Sequence, residues 1–130
     1  MILTINDETL SGDILNQIKI AVENERMKVK DLIAARVETE VNAYNNKLPE
    51  YFKGLIRPSE AEKTLNGFKL KDRKKKIDVE QQTFIALDSF QNNGYLVLID
   101  DRQVDDLEEE LLINDETAVS FVKLTPLVGG

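Results

Sequence analysis

Hydrophobic and polar positions divide the chain into patterned stretches separated by turn residues. Residues 1–5 are β-prone. The polar clusters Asn6-Asp7-Glu8 and Ser11-Gly12-Asp13 bracket a turn region after them. Residues 14–22 then alternate, with Ile18, Ile20 and Val22 on one face and Lys19 between them. This pattern predicts an opening β-hairpin. Over residues 28–46 the period changes. Val29, Leu32, Ile33, Val37, Val41 and Tyr44 recur at steps of three and four, which predicts a helix with one apolar stripe. Arg36, Glu38 and Glu40 are expected off that stripe. Lys28 is a poor capping residue, so no side-chain cap is evident.

Residues 49–77 are punctuated by Pro49, Gly54, Pro58 and Gly67. Two helical turns are expected from Pro58 to Leu65. Tyr51, Phe52, Leu55, Ile56, Phe68 and Leu70 are too apolar for a bare linker, so this insert is expected to pack on the domain. A second helix is predicted over residues 78–93. Asp78 with Gln81 forms its capping pair, and Val79, Ala86, Leu87 and Phe90 lie near one face. Phe84 and Ile85 widen that face, and Gly94 is the expected C′ residue. Residues 95–99 read as an apolar strand, followed by a tight turn at Asp100-Asp101-Arg102-Gln103 and another at Asn114-Asp115-Glu116. Residues 118–124 form the last strand, ended by Pro126, which has no N–H for a sheet ladder. The expected core is Val29, Leu32, Ile33, Val37, Ile18, Ile20, Leu96, Leu98, Val119 and Phe121.

Composition narrows the chemistry. The chain has 130 residues, 42% apolar and 32% charged, as expected of one globular domain. It holds no cysteine and no histidine. That excludes disulfides, thiolate chemistry, the usual zinc sites and Ser-His or Cys-His nucleophiles. No stretch is long and apolar enough to span a membrane, and residues 1–7 lack the marks of a signal peptide. A cytoplasmic location is the expectation. Net charge is −7, which argues against nucleic-acid binding. The charge is uneven: residues 69–76 are basic and residues 100–116 acidic, and both runs are expected to be solvated faces. The acidic run does not fit a calcium loop, because the central glycine is missing. No metal or cofactor is expected.

The candidate chemistry lies at Thr125-Pro126-Leu127-Val128-Gly129-Gly130. A carboxylate becomes a useful electrophile only after activation as an acyl-adenylate, in a site that excludes water. Gly129 and Gly130 suit a narrow channel because they lack a Cβ, and Leu127 and Val128 offer apolar grip outside it.

Three stretches, taken in order, resemble the β-grasp fold of ubiquitin-like proteins. They are residues 12–41, residues 96–107 (Leu-Val-Leu-Ile-Asp-Asp-Arg-Gln-Val-Asp-Asp-Leu) and residues 119–130. The closest likeness is to bacterial ubiquitin-like modifiers ending in Pro-Leu-Val-Gly-Gly. The resemblance implies an α+β fold: a four- or five-stranded mixed sheet on a central helix over residues 1–124. It also implies a helical insertion at about 45–94 and a mobile conjugation tail at 125–130. The insertion is longer than the family's compact connection. The tail lacks the arginines of ubiquitin itself, which points to a dedicated activating enzyme.

The resemblance further implies a protein modifier and not an enzyme. Gly130 would be the conjugated carboxylate, whether it is encoded last or exposed by a peptidase. Pro126, Leu127, Val128 and Gly129 would be recognised with it. The implied partners are an adenylating activating enzyme, a conjugating enzyme and a deconjugating metalloprotease. Two alternatives remain open on sequence: a β-grasp sulfur carrier that forms a thiocarboxylate, and a non-covalent interaction module.

Overall fold

The computed structural model describes residues 1–47 and 78–124. Among these residues the order is β1 (Ile2–Glu8), β2 (Ile14–Ala21), β3 (Arg26–Lys28), α1 (Val29–Lys47), α2 (Val79–Gln91), β4 (Tyr95–Ile99), β5 (Arg102–Val104), β6 (Glu110–Leu112) and β7 (Val119–Lys123). A five-stranded mixed sheet runs β2-β1-β7-β4-β5, and β3 pairs with β6 in a separate two-stranded sheet. β1 and β7 are parallel, and every other pair is antiparallel. The fold is α+β, with α1 packed across the sheet.

The opening hairpin forms as expected, but β1 extends further. Asn6, Asp7 and Glu8 continue the strand and pair with β2 instead of turning. The cause is their pairing on both sides, with β2 and with β7. The turn itself spans Thr9 to Asp13. Gly12 takes φ +94° there, and its N–H donates to the Thr9 carbonyl at 3.0 Å.

Helix α1 buries Val29, Leu32, Ile33, Val37 and Val41 against the sheet, and Tyr44 packs on their edge. Its start is capped without a side chain at Lys28. Asp31 reaches back to accept the Lys28 N–H at 3.0 Å. The Val29 and Lys30 N–H groups donate to the carbonyls of Glu109 and Leu107, each at 3.0 Å. A distant loop thus satisfies donors that a helix start leaves free.

Helix α2 begins at the N-cap Asp78, which accepts from the Glu80 N–H at 3.2 Å. Ala86 and Phe90 join the main core, and Gln82 is buried beside them. Phe84 does not widen this face; it is 70% exposed. At about 100° per residue it lies roughly 160° around the helix from Ala86 and roughly 120° from Phe90. The helix ends in a Schellman motif, with Gly94 N–H donating to the Ser89 carbonyl and Asn93 N–H to that of Phe90. Asn93, at φ 61°, is therefore the C′ residue and Gly94 follows it. A Cβ at Gly94 would run into Ser89 Oγ and lie 3.2 Å from the Ser89 carbonyl oxygen.

Strand β4 has the opposite phase to the one expected. Tyr95, Val97 and Ile99 face the core, whereas Leu96 and Leu98 are half-buried. A continuous apolar run carries no phase of its own. Pairing of Val97 with Phe121 and of Ile99 with Val119 sets it. Tyr95 stacks on Phe121 with centroids 5.5 Å apart and donates its hydroxyl to the Ala86 carbonyl at 2.7 Å, joining sheet to α2. The following turn is only Asp100-Asp101, at φ 51° and 68°. Arg102 and Gln103 already belong to β5. The helical turns expected at 58–65, the apolar cluster of 51–70 and the basic run 69–76 lie outside the described residues.

Candidate functional site

The residues predicted to carry the chemistry are Pro126, Leu127, Val128, Gly129 and Gly130. They lie, with Thr125, outside the described residues. The structure does define what leads to them. β7 is an interior strand, held by β1 on one side and β4 on the other. Its pairing with β4 runs to Lys123, opposite Tyr95, and the Leu124 N–H meets the Gly94 carbonyl at 3.5 Å. Val119 and Phe121 bury their side chains against α1, which anchors the strand that precedes the glycines.

A charged cluster lies under this strand. Arg36, expected on the polar side of α1, is completely buried, as is Glu40. Arg36 Nη2 donates to Asp7 Oδ2 at 2.6 Å, Nη1 donates to Asp7 Oδ1, and Nε donates to Glu40 Oε2 at 2.6 Å. The guanidinium carbon sits 4.7 Å from the centroid of the Phe121 ring. Burial alone would lower the Arg36 pKa. The hydrogen bonds and charges of Asp7 and Glu40 outweigh it and hold the pKa above the usual arginine value. A sequence signal for these residues exists. Positions 36 and 40 fall seven and eleven residues after Val29, within the same helical stripe, and Asp7 follows Leu3 and Ile5 on alternate strand positions.

The acidic run, by contrast, is mostly surface. Glu108 accepts from Lys28 Nζ at 2.9 Å and Lys30 Nζ at 3.0 Å. The hydrogen bonds from Lys28 and then Lys30 hold the Glu108 pKa below the usual carboxylate value, and the bond to Glu108 raises that of Lys28. Arg102 pairs with Glu109 at 2.8 Å. Among the described residues no three His, Cys, Asp or Glu side chains are grouped to hold a metal ion. No described helix is long and apolar enough to cross a membrane.

Among the described residues, β7 is paired on both sides, and its Phe121 ring meets Tyr95 and Arg36. Comparison with protein-family models, curated proteins and solved structures finds no match to this chain.

Proposed function

We propose that the chain is a ubiquitin-like protein modifier of β-grasp fold. In this reading the Gly130 carboxylate attacks the α-phosphorus of ATP in an activating enzyme and displaces pyrophosphate. A cysteine thiolate of that enzyme displaces AMP to give a thioester, which passes to a conjugating enzyme. A target amine then attacks the thioester carbonyl and releases the thiolate. The chain supplies the electrophile and a surface for docking, and its partners supply the catalytic groups. A metalloprotease would reverse the conjugation.

One observation carries the proposal: the last strand returns parallel to the first, in the middle of the sheet. An N-terminal hairpin, a helix across one face and a β4–β5 hairpin complete the order β2-β1-β7-β4-β5. A mixed sheet packed on a central helix is what the ubiquitin resemblance implies, and the observed sheet supports that reading. The same strand runs on in sequence to Pro126 and the two glycines.

The test uses a tagged protein expressed in its own cells and recovered under denaturing conditions. Higher-mass adducts are expected from the parent and are lost when Gly130 is deleted. The urea midpoint is expected to be unchanged by the deletion, because the described core and sheet pairing of β7 lie at or before Lys123. Adducts that survive the deletion would refute the proposal.

A further inference from the structure

The proposed chemistry leaves unused the most thoroughly desolvated charges among the described residues. Asp7, Arg36 and Glu40 are 2%, 0% and 1% exposed. One guanidinium binds Asp7 on β1, Glu40 on its own helix and the ring face of Phe121 on β7. It therefore joins α1 to both members of the parallel strand pair.

β1 and β7 lie at opposite ends of the described chain, so no turn sets their register. Their pairing runs only from Ile5–Val119 to Glu8–Val122. A slip of one residue would turn the apolar face outward and is rejected by the hydrophobic pattern. A slip of two keeps the faces and replaces one apolar neighbour with another, Val119 with Phe121, which packing rejects less firmly than a reversal of faces. Charge rejects it strongly. Two strand residues span about 6.6 Å, enough to separate the Asp7 carboxylate from Arg36 with both still in the core. Ser120 Oγ donates to Glu8 Oε2 at 2.7 Å on the opposite face of the sheet, where the bond is only partly buried.

We infer that the Asp7–Arg36–Glu40 network is a register lock, selecting one alignment of β1, β7 and α1 among those the aliphatic pattern accepts. It adds little net stability, because desolvating three charges offsets most of their attraction.

The test compares two apolar replacements of different volume, Asp7→Leu/Arg36→Met/Glu40→Leu and Asp7→Val/Arg36→Leu/Glu40→Met, with Ser120→Ala as control. At least one triple variant is expected to keep a urea midpoint within about 0.5 M of the parent. Its amide spectrum is expected to show more than one set of resonances. Exchange protection across the β1–β7 pair is expected to fall at least about tenfold while α1 stays protected. The control is expected to match the parent. A triple variant with one dispersed set of resonances and parental protection would overturn the inference. Unfolding of both triple variants would overturn it too, by showing that the network supplies stability. Resonance doubling in Ser120→Ala would transfer the role to the Ser120–Glu8 bond.

Discussion

At Arg36 two large effects oppose each other. Burial penalises the guanidinium, while Asp7, Glu40 and the Phe121 ring compensate it. Removing the cation alone leaves the carboxylates of Asp7 and Glu40 buried without their shared partner. Arg36→Met is therefore expected to cost about 3–5 kcal/mol in urea unfolding. A cost under about 1 kcal/mol would mean that water reaches the cluster. Glu108 is the exposed counterpart. Its pKa in the folded state is depressed, so its contribution is present above the unfolded-state pKa and lost as pH falls through the folded value. Lys28, with its pKa raised, contributes below its unfolded-state pKa and loses that contribution as pH rises through the folded value. Glu108→Gln should lower the urea midpoint slightly at pH 7. The difference from the parent should shrink as pH falls below the usual carboxylate range, and it should shrink in high salt. A difference that persists at low pH would remove the ion pairs as its cause. The charged core was partly legible in the sequence. Helical and strand periods place Arg36, Glu40 and Asp7 at inward positions, but their polarity outweighs period when each is read alone. Only the fold brings opposite charges from β1 and α1 together.

At the scale of elements, the clearest patterns gave the clearest expectations. The alternation of β2 and the stripe of α1 each have one apolar face, so their orientation follows from sequence. In β4 every residue is apolar, and only pairing with β7 decides which side turns inward. β3 and β6 are three-residue strands of mixed polarity that exist through their mutual pairing, which a local pattern cannot reveal. A paired measurement tests the phase of β4. Leu32→Ala should cost about 2–5 kcal/mol, because Leu32 is fully buried. Leu98→Ala, on the half-buried side, should cost about 1 kcal/mol or less. Equal costs would contradict the assigned phase.

For the whole molecule, the hairpin and helices follow from local pattern, but the neighbourhood of β1 and β7 does not. Contacts between the two ends of a chain leave no local trace, and the resemblance to ubiquitin-like proteins implied a mixed sheet on a central helix without naming which strands are neighbours. On the proposed function, the sheet would serve as a fixed platform for the strand that precedes the diglycine in sequence. β7 is paired on both sides and backed by Phe121, Tyr95 and Arg36. A pull on residues beyond Lys123 would be resisted by two rows of sheet hydrogen bonds. Activation would then act on residues 125–130 without unfolding the domain.

The central claim is that Gly130 becomes joined to amines of other proteins. Trypsin cuts after Lys123, so a conjugated target lysine would keep the branch Leu124-Thr125-Pro126-Leu127-Val128-Gly129-Gly130. The decisive measurement is peptide mass spectrometry of the protein and its adducts, recovered from native cells under denaturing conditions. The account predicts lysine peptides of other proteins carrying that branch through an isopeptide bond at Gly130. Recovery of Gly130 solely as a free carboxylate, or with sulfur in place of one carboxylate oxygen, would contradict it.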